Sequence, residues 1–144
     1  MFSGAHSHAV DNKGRTVIPS KFRSKLGERL YVTRGMHGCL WLFSEDAWRG
    51  FQQMLTPKSP LDSKGLTLER IFVGLAVECV PDVQGRIFIP QNLRDVAGIT
   101  DDIWIVGLTG KLEIWSDARW KQFNGEMTVE MIEQLGEERL QKPE

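Results

Sequence analysis

Two arginines in this chain follow an acid–glycine bend, and that setting gives a guanidinium a fixed base from which to meet an anion. Arg15 lies in Asp11-Asn12-Lys13-Gly14-Arg15-Thr16-Val17-Ile18-Pro19, and Arg86 in Asp82-Val83-Gln84-Gly85-Arg86-Ile87-Phe88-Ile89-Pro90. Both stretches read D-x-x-G-R-x-x-I-P, and they stand 71 positions apart. An aspartate at the start of such a loop hydrogen-bonds backbone two residues on, and the glycine accepts positive φ. The planar guanidinium fork matches phosphate oxygens or the guanine edge in the major groove, where a bidentate contact is worth about 1–3 kcal/mol. Lys13 and Gly14 share the loop with Arg15, while Lys21, Arg23 and Lys25 follow on a short helix, suited to phosphate contacts that set register. The same residues permit plainer roles. Arg15 can pair with Asp11 and staple its own turn, and the lysines can form a solvated helix face.

Other groupings offer less. His6, His8, His37 and Cys39 lack zinc-type spacing. There is no nucleophile with a paired base and no glycine-rich nucleotide loop, so the residues point away from an enzyme and name no cofactor, metal or catalytic group.

The elements that would hold the two loops recur with them. Gly4–Val10 reads as a strand and Arg15–Ile18 as a second, after which Pro19 suits the first turn of a helix over Ser20–Leu26. Leu30–Thr33 and Cys39–Phe43 read as a hairpin. Ser44 is an N-cap candidate for a helix whose stripe is Ala47, Trp48, Phe51, Met54 and Leu55. Thr56-Pro57-Lys58-Ser59-Pro60 is the clearest linker, and a helix is expected over roughly Leu66–Gly74. Ala76–Pro81 reads as strand, and the pattern then restarts. Asp82, Gly85, Arg86, Ile89, Pro90, Leu93, Arg94 and Gly98 repeat Asp11, Gly14, Arg15, Ile18, Pro19, Phe22, Arg23 and Gly27. Further on, Gly110, Leu112, Ile114, Trp115, Ser116, Trp120 and Phe123 repeat Gly38, Leu40, Leu42, Phe43, Ser44, Trp48 and Phe51. The chain is therefore a tandem duplication of units of about 45 residues, each marginal alone, which favours halves that pack closely or interlace. The aromatic helix stripes read as core within the chain, with a surface between copies as the alternative. An acidic amphipathic helix is expected at about Thr128–Leu140.

Length and composition suit a folded domain: 144 residues, 41% hydrophobic, net charge −1. That charge argues against a simple basic nucleic-acid binder, yet it hides a gradient. Asn12–Arg34 carries seven basic residues against Glu28 alone, a net of +6, whereas the stretch from Asn124 to the end is −4. Such a dipolar distribution can steer a polyanion to one end. The first ten residues lack the pattern of a signal peptide, and the two cysteines have no metal-type spacing, so a reducing, cytoplasmic setting is expected.

The doubled loop, the P-x-x-[FL]-R that follows each copy, the Trp-bearing helices and the length resemble the MraZ family of bacterial transcriptional regulators over nearly the whole chain. The resemblance implies an α+β, mainly β fold: two tandem AbrB/SpoVT-like swapped-hairpin repeats (5–47 and 76–119) in a pseudo-two-fold, double-psi-like barrel with short flanking helices, then an acidic helical segment (120–144). It implies a nucleoid-associated homo-oligomer, ring-shaped, that binds short direct repeats in double-stranded DNA upstream of its own division and cell-wall gene cluster, generally as a repressor. Arg15 and Arg86 would be the DNA-reading arginines. Asp82–Glu113 has a net charge of −2, so the second copy is expected to contribute less. The alternative is an antitoxin-like module whose C-terminal helix captures a protein partner.

Overall fold

The computed structural model of the chain describes residues 1–141. Its elements run β1 (Gly4–Ala9), β2 (Arg15–Val17), α1 (Ser20–Leu26), β3 (Leu30–Arg34), β4 (Leu40–Ser44), α2 (Glu45–Leu55), α3 (Ser63–Phe72), β5 (Val77–Cys79), β6 (Arg86–Phe88), α4 (Gln91–Ala97), β7 (Asp102–Gly107), β8 (Leu112–Ser116), α5 (Asp117–Glu126) and α6 (Val129–Gln141). The fold is α+β, with antiparallel sheet at its centre.

The duplication is visible in the caps. Ser44 and Ser116 accept from the backbone N–H of Ala47 and Arg119 at 3.3 and 3.1 Å, starting α2 and α5 in the same way. Pro19 and Pro90 precede α1 and α4 as extended N-cap residues rather than occupying the first turn. Each carbonyl accepts from the next helix turn, Phe22 and Arg23 on Pro19, Leu93 and Arg94 on Pro90. The helix expected from Leu66 starts earlier, at Ser63. Asp62 caps it by accepting from Gly65 N–H at 2.9 Å, and a short polar start carries little hydrophobic periodicity.

The strands of the two halves are interleaved. The main sheet has the order β1-β7-β8-β4-β3-β5, and β2 pairs with β6 in a separate two-stranded ribbon. Replacing each strand by its counterpart in the other half (β1 for β5, β2 for β6, β3 for β7, β4 for β8) leaves both orders unchanged. One core follows from this exchange. Ile18, Phe22, Leu30, Val32, Leu40 and Leu42 of the first half pack in the same cluster as Ile87, Ile89, Leu93, Ile103, Leu112 and Ile114 of the second. Neither half could bury these side chains without the other.

The aromatic stripes fold inward to different depths. Trp48 is 4% exposed and stacks on Tyr31 with centroids 5.4 Å apart, whereas Phe123 is 40% exposed. A second cluster joins Trp115, Cys39 and Val106, with Trp41, Trp104 and Trp120 against it. Glu113 sits between two indoles there, accepting from Trp41 Nε1 at 3.0 Å and from Trp115 Nε1 at 2.9 Å. Both cysteines are free and buried; burial pushes the Cys79 thiol up to about 11. Nothing in the described part of α6 is buried, and residues 142–144 of the expected C-terminal segment lie outside the described residues. No described helix is long and apolar enough to cross a membrane.

Candidate nucleic-acid interface

The aspartate hydrogen bonds of the two D-x-x-G-R loops match in length to within 0.1 Å. Asp11 Oδ1 accepts from the backbone N–H of Lys13 and of Arg15, both at 2.9 Å, and Oδ2 accepts from Arg15 Nε at 2.9 Å. Asp82 does the same with Gln84 N–H, Arg86 N–H and Arg86 Nε at 2.9, 2.9 and 2.8 Å. Gly14 and Gly85 close the bends with φ of +83° and +77°, where a β-carbon is strained. The backbone N–H of the arginine, above all, holds each aspartate carboxyl below its ordinary pKa, assisted by the guanidinium. The stapling role of Asp11 is therefore real, and it consumes only Nε. The Nη edges of Arg15 and Arg86 make no hydrogen bond among the described residues, so the aspartate orients the fork and leaves its outer edge for a ligand.

Strand register decides where those forks point. In the ribbon Arg15 faces Phe88, Thr16 faces Ile87 and Val17 faces Arg86. Side chains alternate between the two faces of a strand, and directly opposed residues share a face. Thr16 and Ile87 are 1% and 2% exposed and form the inner face, the Thr16 hydroxyl donating to Ala9 O at 3.1 Å. Arg15, Val17, Arg86 and Phe88 then form the outer one. Both arginines project from a single surface as diagonal neighbours, about 7–8 Å apart at the backbone. The exchange also extends beyond the ribbon, since Ile18 N–H donates to Gly85 O and Ile89 N–H to Gly14 O.

The remaining sequence candidates divide. Lys13 is exposed at the first loop and Gly14 is buried in it. Arg23 reaches the second loop, its guanidinium against Gly85, so it serves the opposite repeat from its own. Lys21 lies elsewhere, its ammonium beside Gly4 and 5.2 Å from the centre of the Phe22 ring. Arg94, the counterpart of Arg23, was not among the candidates, yet it packs against Gly14 and donates from Nε to Ile89 O at 2.8 Å. The repeat alignment contained that signal. Phe88 was missed for another reason: in the sequence it is one apolar residue in an apolar run. Arg119 had no sequence signal; its Nη1 donates to Gly38 O and Val96 O, each at 2.9 Å, tying the β3–β4 turn to α4.

The interlaced duplication, with paired arginines on a small two-stranded ribbon, defines a two-fold α+β ribbon architecture. The family described as "MraZ protein, putative antitoxin-like" matches residues 1–65 and 72–142. A "Transcriptional regulator MraZ" of Lachnoclostridium phytofermentans is 41% identical over 137 residues, 95% of this chain and 96% of the relative. Proteins of the same name from Caldicellulosiruptor bescii and Acetivibrio thermocellus are 43% and 40% identical, covering 96% and 92% of this chain and 98% and 94% of their own. The chain belongs to the MraZ family.

Proposed function

We propose that the chain regulates transcription by inserting the β2–β6 ribbon into the major groove of promoter DNA. The observation that carries this reading is the pair of arginines on one exposed face, each held by an aspartate through Nε with its outer edge unspent. A two-stranded ribbon fits the major groove, and an arginine fork there is suited to guanine. The name shared by the relatives, transcriptional regulator, agrees with it. Arg15 is the principal reader, with Lys13 beside it on a loop that Gly14 shapes. Arg86 reads more weakly from the acidic half. Arg23, against the second loop, and Lys21, on the basic first half, contact phosphates and set register.

The fuller reading is a swapped-hairpin barrel assembled into a ring of protomers in the nucleoid, repressing from short direct repeats upstream of its own gene cluster. A ribbon of three residues per strand covers few base pairs, so several ribbons on spaced repeats gain affinity through effective concentration. The antitoxin-like alternative draws on the exposed apolar residues of α6; a stoichiometric protein partner that requires residues 125–144 would favour it.

A gel shift of the purified chain on the region upstream of its own gene tests the proposal. Arg15→Ala should weaken binding about 5- to 150-fold, the weight of one bidentate contact, with oligomer size and circular dichroism unchanged. Arg86→Ala should weaken it less. Affinity should also fall by about 0.9 log unit per log unit of salt for each phosphate neutralised. Undiminished binding by Arg15→Ala would remove it as the reader.

A further inference from the structure

We infer that Phe88 is a specificity-determining residue that packs on the 5-methyl group of a thymine next to the base pair contacted by Arg15; this rests on the DNA reading above. Phe88 is 51% exposed, while its neighbours Ile87 and Ile89 are 2% and 0% exposed. A phenyl ring left in water on a surface that also carries two arginines has no role in the core. Its position is fixed. Phe88 is the cross-strand partner of Arg15 on the outer face of the ribbon, with β-carbons about 5 Å apart. The ring also rests on the first loop, its Cε1 3.0 Å from where a β-carbon on Gly14 would stand, a closeness that only glycine allows. Ring and guanidinium therefore emerge side by side from one rigid platform.

The chemistry of the groove supplies the ligand. Base edges in the major groove are donors and acceptors with one apolar exception, the thymine methyl, and side chains such as Phe contact it. Successive bases lie 3.4 Å apart along a strand, so a side chain about 5 Å from the arginine reaches the adjacent step. The pseudo-two-fold counterpart of Phe88 is Val17, smaller and 38% exposed. The reading face is consequently unequal: Lys13, Arg15 and Phe88 mark one end, Gln84, Arg86 and Val17 the other. Such a face distinguishes the two directions of a duplex.

The test uses the full chain and two synthetic duplexes of its own upstream region, one with thymine and one with every thymine replaced by uracil, which differs only in lacking the methyl. The wild-type chain should bind the thymine duplex about fourfold more tightly, the weight of one buried methyl group. Phe88→Ala should bind both duplexes equally, at the wild-type affinity for the uracil duplex, and Phe88→Leu should retain the preference. Thermal melting of both variants establishes that they fold. Equal wild-type affinity for the two duplexes overturns the inference. So does a Phe88→Ala protein that loses affinity for both while keeping the fourfold ratio, because the ring would then only prop the first loop. Failure of the wild-type chain to bind either duplex refutes the underlying DNA reading, a result distinct from both.

Discussion

Replacing Gly14 by alanine probes the first loop at the point where backbone, ring and guanidinium meet. Gly14 has φ of +83°, and holding an L-residue in the left-handed region costs about 1–2 kcal/mol. The added β-carbon would stand 2.9 Å from Arg94 Nη2, 3.0 Å from Arg94 Cζ and 3.0 Å from Phe88 Cε1. Those are the far ends of side chains that can turn aside, at about 0.5–1.5 kcal/mol for an off-rotamer angle. Together the two effects predict a destabilisation of roughly 2 kcal/mol, or about 4–8 °C in Tm for a chain of this size. Gly110→Ala is the control, because Gly110 has no positive φ and its β-carbon would meet nothing within 4 Å; it should melt within about 1 °C of wild type. Differential scanning calorimetry separates the terms when Gly14→Ala is repeated in an Arg94→Ala background. That second change frees the guanidinium clash and leaves the backbone strain, so at least about half of the loss should persist. A Gly14→Ala protein that melts with the Gly110→Ala control would refute the claim that loop conformation demands glycine here.

Two further outcomes follow from the same geometry. Both loop aspartates have lowered pKa values in the folded chain, so their contribution is complete above the ordinary carboxylate value of about 3.9 and disappears as pH falls through the lower folded values. The Nε–H resonances of Arg15 and Arg86 should therefore stay protected from exchange at pH 4 and broaden only below it; broadening between pH 6 and 5 would contradict the pairing. Deletion of residues 129–144 removes α6, whose described side chains bury nothing. In dilute solution the shortened chain should melt within about 2 °C of the full one, and a drop of 5 °C or more would mean that α6 packs on something.

Much of this architecture could be read from the chain because the duplication supplied an internal control. Ser44 and Ser116, Pro19 and Pro90, Gly14 and Gly85 each occur at matching places, and a local rule satisfied twice in register is hard to obtain by accident. The apolar run Cys39–Phe43 then read as a strand, observed at Leu40–Ser44, and the repeat carried the same hairpin into the second half, where the strand is Leu112–Ser116. Strand partners were less legible. No pattern within β1 says that it joins β7 rather than the nearer β2, since pairing across more than ninety residues is settled by the shared core. Arg119 shows a different limit, because a charged residue that bonds two distant carbonyls looks in sequence like any surface arginine. Phe88 shows a third, since only register reveals which residue of an apolar run faces water.

The antiparallel pairing of β2 with β6 has a consequence that the loops alone do not. Each arginine begins its own strand, and the two strands run in opposite directions, so exchange between the halves turns two distant bends into neighbours on one face. A slip of one residue in this register would carry Arg15 to the inner side, where Thr16 and Ile87 are 1% and 2% exposed. Burying an unpaired guanidinium there would cost several kcal/mol, far more than a three-residue ribbon gains from its own hydrogen bonds. The apolar period of Thr16, Ile18, Ile87 and Ile89 thus fixes the outward direction of both arginines, while Asp11 and Asp82 fix only their tilt. Removing an aspartate should leave the arginine outside and mobile. Exchanging the identities of positions 15 and 16 should instead destroy the fold, since the core and the arginine-bearing outer face are set by one alternation.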